Sequence, residues 1–202
     1  VEMFRIWNGG LGIWGGVLLG ALAAWAWCRH KHYPVALLGD AVAPGLLVAQ
    51  AVGRLGNWFN QELYGAPTTL PWGLKLNMEG SAIGHSEQCY DGATCPTGTL
   101  FHPTFLYESV WNLVGFVLLH FLSKHRKYDG QIALGYGAWY GLGRCFIEGL
   151  RVDSLYWGPF RVSQVLAGLT CVIAVGALLW QHFLPHDPAD LFVNRVAAEA
   201  AA

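Results

Sequence analysis

The sequence predicts an all-α integral membrane protein, a polytopic helix bundle of five spans with an external arm, and three observations lead there. Hydrophobic residues fill 54% of the 202 positions and charged residues only 12%, about half the charged share of an ordinary soluble domain. Five apolar runs recur along the chain, each close to the roughly 20 residues a helix needs to cross the hydrocarbon. Ten Trp and 26 Gly point the same way, since both are favoured in or beside membrane helices. A single buried soluble helix can be this apolar, but five in so short a chain would leave too little polar surface.

The first run covers 10–27, where Gly12, Gly16 and Gly20 repeat at four-residue spacing, a pattern that lets helix backbones approach closely in lipid. The second, 35–52, is the least apolar because it carries Asp40, Pro44 and Gln50. Asp40 could be a structural partner for a cation. A long polar segment, 53–101, follows; loops of this length are uncommon without a function or structure of their own. Trp58, Tyr64 and Trp72 place its start at the lipid–water interface. The third run is 104–122, opened by Pro103, which suits a helix's first turn. The fourth, 131–149, repeats the small-residue spacing once at Gly137 and Gly141, and the fifth is 162–183. Residues 1–185 thus form the transmembrane domain and 186–202 a cytoplasmic tail, whose end, Ala197 to Ala202, is expected to fray.

Orientation follows from charge. Arg29, His30, Lys31 and His32 join the first two runs, and Lys124, His125, Arg126 and Lys127 join the third and fourth. If all five runs span, both links share one side, which the positive-inside rule makes cytoplasmic. The segment 53–101 and the link 151–160 are then external. A net charge of −1 offers no basic field for nucleic acid. Of five Cys, Cys28, Cys145 and Cys171 sit in apolar runs as small hydrophobes, and Cys89 and Cys95 share the external segment, where an oxidising compartment would let them pair. No CxxC occurs and no Cys/His set has zinc-ligand spacing.

Two sets of residues carry the chemistry. Gly53-Arg54-Leu55-Gly56-Asn57-Trp58-Phe59-Asn60-Gln61-Glu62 packs Arg, two Asn, Gln and Glu against the bilayer edge. One Arg there would normally snorkel to headgroups. The density of polar groups favours a polar cavity instead, in which a planar guanidinium matches phosphate oxygens. On the fourth run Tyr136, Tyr140, Arg144 and Glu148 fall at successive i, i+4 steps, with Arg151 near the same face. Arg before Glu is the weaker order for helix stability, which favours function over a purely structural ion pair. His102 and Glu108 open the third run; Glu108 could simply balance an Arg, and Gln164 early in the fifth run suits interhelical glue. With no G-x-S-x-G elbow, H-E-x-x-H or P-loop, a lipid-handling enzyme of this composition must take its nucleophile from a substrate. The rivals are a small-solute transporter with Arg144 and Glu148 in its pore, which predicts inverted repeats that the sequence does not display, and a non-catalytic membrane subunit.

The run from Gly53 to Gly65 resembles the G-R-x-G-N-F-x-N-x-E-x-x-G signature of prolipoprotein diacylglyceryl transferases. His102 to Glu108 is similar to that family's H-P-[ST]-x-L-Y-E segment, and Tyr140, Arg144, Glu148 and Arg151 to its Y-x-x-x-R-x-x-x-E-x-x-R helix. Arg5 to Gly10 resembles the stretch leading into the family's Gly-rich helix, so order and spacing agree from Arg5 to about Leu184. The resemblance implies a seven-helix enzyme of the bacterial plasma (inner) membrane with its site toward the outer leaflet. Such enzymes move the diacylglyceryl group of the membrane lipid phosphatidylglycerol to the lipobox Cys thiol in a prolipoprotein signal peptide. A thioether forms, glycerol phosphate leaves, and no cofactor takes part. By position Arg54, Arg144, Glu148 and Tyr140 take catalytic places, and Arg54, Asn57, Asn60, Glu62, Gly65, His102, Glu108 and Arg151 take substrate-binding ones. Where many members carry His-Gly-Gly, this chain has Trp14-Gly15-Gly16, which leaves Glu148, Glu62, His102 or the substrate's own surroundings to receive the thiol proton. The resemblance also implies two helices ahead of Val1, the first with a site tyrosine. The chain is therefore expected to be an N-terminally truncated form whose activity in isolation is open.

Overall fold

A computed structural model describes residues 13–60, 63–75, 98–151, 154 and 156–201. In order come α1 (Ile13–Lys31), α2 (Val35–Asn60), β1 (Pro67–Thr68), β2 (Leu74–Lys75), β3 (Leu100–Phe101), α3 (Thr104–Ser123), α4 (Gln131–Glu148), β4 (Tyr156–Trp157), β5 (Phe160–Arg161), α5 (Val162–His182), a 3₁₀ turn (Pro188–Asp190) and α6 (Phe192–Ala201).

The protein is mostly helical and built for lipid. Leu18, Leu19, Leu166, Val172, Ile173 and Trp180 lie open on the outer faces, and contiguous apolar surface of this extent is not tolerated in water. Three helices, α2, α3 and α5, are long and apolar enough to cross a membrane. The reading of five spans is therefore met in part. α4 falls short for a physical reason: it packs against α2, α3 and α5 together, so its inner face carries Gly, Tyr, Arg and Glu in place of the aliphatic residues that lipid would demand.

Small residues set how closely the helices meet. A Cβ on Gly141 would lie 2.7 Å from the Ala167 carbonyl oxygen of α5, so the expected small-residue contact is present on α4. On α1 it is not: Gly16 and Gly20 meet nothing within 4 Å among the described residues, and Gly12 lies outside them. Between α3 and α4, Trp111 and Trp139 stack at 4.3 Å, each indole N–H donating to the other's carbonyl oxygen at 3.0 Å. Each ring also occupies the space a side chain would need at Gly143 or Gly115 on the facing helix. The pair locks the register of α3 against α4.

α2 runs on to Asn60, well past the expected end at Val52, so the polar signature from Gly53 is helical and not the start of a loop. Tyr64 is a second correction. It is buried against Phe105 and Phe101 and is not an interfacial anchor. The short strands order as β1-β3-β2, all antiparallel, with Pro67 and Leu74 both facing Phe101. Glu62, Cys89 and Cys95 lie outside the described residues.

Among the described residues Asp40 forms no ion pair. Its carboxylate accepts from the amides of Gly130 at 2.8 Å and of Ile132 and Ala133 at 2.9 Å, capping the N-terminus of α4 from another helix. That places the starts of α2 and α4 at one end of the bundle, together with both basic links. The tail folds back to the same end: the Phe192 amide donates to Asp129 at 3.1 Å, and the Phe192 ring meets Tyr33 edge-on. The tail ends in the helix α6, which includes the alanines up to Ala201.

Candidate active site

At the opposite end of the bundle, three helices deliver charged side chains to one place. α2 brings Arg54 with its second-last turns, α3 brings Glu108 from its second turn, and α4 brings Arg144 and Glu148 from its last. Pro103 precedes α3 with φ −76°, which fixes where the helix starts and so how deep Glu108 sits. Ser109 ties that turn to α2 by donating its hydroxyl to the Ala51 carbonyl oxygen at 3.0 Å.

Glu108 is the hub. One carboxylate oxygen meets Arg54 Nε at 2.6 Å and the other meets Arg144 Nη1 at 2.5 Å. Arg144 reaches in two directions, because its Nη2 pairs with Glu148 Oε2 at 2.8 Å. Arg151 Nη1 stands 3.5 Å from the same oxygen. The Glu148 carbonyl oxygen accepts from Arg161 Nη1, a contact the sequence reading did not foresee. Its one signal is a second cation at the end of the external link, just before an apolar run.

Burial divides the cluster. The side chains of Glu108 and Glu148 are 7% and 2% exposed, whereas those of Arg54 and Arg144 are 20% and 15% exposed. The acids are therefore the more buried partners, and the arginine side chains stay partly exposed. A buried carboxylate stripped of its partner costs about 3–5 kcal/mol, so the two acids hold the arginines in place as firmly as the arginines hold them. Three ion-paired arginines face two glutamates here, and Arg161 adds a fourth cation. Over the described residues the site carries surplus positive charge, as an anion-binding pocket needs.

Around this hub the other expected residues are distributed unevenly. Tyr140 lies one turn before Arg144 and stacks on Tyr136 at 5.6 Å, whose hydroxyl accepts from Gln50 at 2.8 Å. A polar stripe thus runs from Arg144 toward the middle of the bundle. Asn57 follows Arg54 by one turn and is half-buried, while Asn60 ends α2 more exposed. His102 engages Tyr107: its Nδ1 lies 3.2 Å from the tyrosine oxygen, which also accepts from the Trp72 indole at 2.9 Å. Gln164 donates to the Cys145 carbonyl oxygen at 3.0 Å, the interhelical role expected of it.

Gly65 closes the site from the side. Its amide donates to the His102 carbonyl oxygen at 2.8 Å, and it pairs with Arg151 in an antiparallel bridge. A Cβ there would fall 2.7 Å from that of His102 and 2.8 Å from the Leu150 carbonyl oxygen. No side chain fits. The strand after α2 can therefore tuck between the approach to α3 and the end of α4, which fixes Arg151 beside Glu148.

Residues 1–180 match the family model for prolipoprotein diacylglyceryl transferase. The chain is 82% identical over 156 residues to a protein of Bifidobacterium adolescentis, covering 76% of this chain and 46% of the relative. A Bifidobacterium longum protein is 58% identical over 159 residues, 76% of this chain and 50% of the relative. One from Listeria monocytogenes is 41% identical over 187 residues, 93% of this chain and 65% of the relative. All three are named phosphatidylglycerol–prolipoprotein diacylglyceryl transferase. The chain spans about half the length of the first of these relatives. It belongs to the prolipoprotein diacylglyceryl transferase family.

Proposed function

We propose that this family member carries the phosphate-handling part of an enzyme that moves the diacylglyceryl group of phosphatidylglycerol to the lipobox cysteine thiol of a prolipoprotein. The observation that carries the reading is Glu108 drawing Arg54 and Arg144 together from separate helices, each at 2.6 Å or less, with both arginine side chains still partly exposed. A phosphodiester is a single anion with paired oxygens, and two guanidinium forks match it in charge and shape.

The reaction is a displacement at a glycerol carbon. The cysteine sulfur forms a bond to that carbon while the carbon–oxygen bond to phosphate breaks, and glycerol phosphate departs with the electron pair. Arg54 and Arg144 hold the departing charge and lower the pKa of the approaching thiol, since thiolate is the competent nucleophile. Glu148, Glu62 and His102 are the candidate acceptors of the thiol proton. Tyr140, Asn57, Asn60, Gly65 and Arg151 line or shape the pocket.

All five apolar helices, α1 to α5, span the membrane in this reading. The two basic links and the tail face the cytoplasm by the positive-inside rule, and the arginine–glutamate cluster faces the outer leaflet of the plasma membrane. Membranes from cells expressing the chain within its complete reading frame, given labelled phosphatidylglycerol and a lipobox peptide, should yield a lipidated peptide. A transporter or a structural subunit would leave the peptide unmodified, and that result would end the assignment.

A further inference from the structure

At the far end of α4 from the arginine–glutamate cluster lies a cavity of about 580 Å³. The 18 residues of α4 separate the two, roughly 25 Å at 1.5 Å per residue. We propose that this cavity is a second lipid site, holding the headgroup of an anionic phospholipid from the leaflet at that end. Its acyl chains would lie along the outer face of α5.

One wall is cationic. Arg126 and Lys127 come from the link between α3 and α4, and His182 joins the lining from the last turn of α5; no lining residue is acidic among the described residues. The link's own acid, Asp129, accepts the Phe192 amide at 3.1 Å and stands 3.9 Å from Arg126. That distance is too long for a tight bidentate pair, so the fork of Arg126 keeps donors for phosphate oxygens. Lys127 is anchored by its backbone, whose amide donates to Gln131 Oε1 at 2.7 Å. Lys127 is exposed and lines the cavity.

The other wall is aliphatic, formed by Leu178 and Leu179 of α5, by Leu184 just after it and by Leu191 of the tail. From there the apolar surface continues up α5 through Val175 and Val172, both exposed. A soluble phosphate would use the cations and waste this surface, whereas a phospholipid uses both. The tail holds the cleft in shape: His186 stacks on Tyr128 at 4.7 Å, and its Nε2 lies 2.7 Å from the Gln181 carbonyl oxygen. An anionic headgroup bound here would join the tail to the link and steady the bundle from the side opposite the reaction.

The test uses the chain in phosphatidylcholine nanodiscs with trace photoreactive lipid, the reactive group near the headgroup, as either phosphatidic acid or phosphatidylcholine. The anionic probe should label residues 178–191 several-fold more than the zwitterionic one. Arg126→Gln and Lys127→Gln should each cut that labelling several-fold, and Lys127→Arg, which keeps the charge, should leave it near the unsubstituted level. Millimolar inorganic phosphate should leave the labelling intact. Equal labelling by both probes, indifference to both Gln variants, or full competition by inorganic phosphate would each overturn the lipid site. Arg54 and Arg144 are untouched in every arm, so those outcomes leave the proposed transfer chemistry standing.

Discussion

Both ends of α4 hold buried carboxylates, and they are partnered in opposite ways. At the start of the helix, Asp40 takes three backbone amides at 2.8–2.9 Å. At its end, Glu108 and Glu148 take guanidinium groups. Backbone amides cannot turn elsewhere without unwinding the helix, so Asp40 is a cap, reinforced by the positive end of the helix dipole. Arginine side chains can keep one edge on an acid and offer the other to a ligand. The same burial problem gives a structural fixture at one end and the candidate site at the other.

Arg144→Lys should produce the largest effect and break the site end alone. An ammonium group has no fork to span Glu108 and Glu148 at 2.5 and 2.8 Å. Loss of one preorganised donor set costs roughly 10²–10³ in rate, so transfer to a lipobox peptide should fall by about that factor. Asp40→Ala should show the converse. It strands three amides and should lower unfolding free energy in detergent by about 1–3 kcal/mol, with transfer per folded molecule nearly unchanged. A large loss of specific activity there would erase the distinction between the two ends.

Gly65→Ala sharpens the comparison, because it moves the frame of the site without touching a charge. With contacts of 2.7–2.9 Å to His102, Leu150 and Thr104 awaiting a Cβ, it should cost about 1–3 kcal/mol of overpacking strain and lower transfer by displacing Arg151. Tyr136→Phe should be the mildest. It removes the hydroxyl that Gln50 donates to, worth about 1 kcal/mol by thermal unfolding, and leaves Arg144 in place.

The site was more legible in the sequence than the fold around it. Arg144 and Glu148 stand four residues apart, and helical geometry alone places them together. Glu108 was readable as a counter-ion, but not as the hub for two arginines, because its partners lie in other helices. Asp40 was misread for the same reason: its partners are backbone amides some 90 residues on, and amides leave no trace in side-chain chemistry. Length and apolarity alone mark three of the five expected spans, and α4 is not among them because packing on three sides replaces apolarity. Tyr64 was taken for an interfacial ring because composition cannot show that Gly65 folds the chain back over Phe105.

The most direct measurement is a double-mutant cycle on transfer rate with Arg54→Lys and Arg144→Lys, alone and combined. If both forks hold one phosphate, either change disables the clamp, and the double variant should be about as slow as the slower single one. Losses that simply multiply, or full activity in either single variant, would mean that the two guanidinium groups do not serve the same anion.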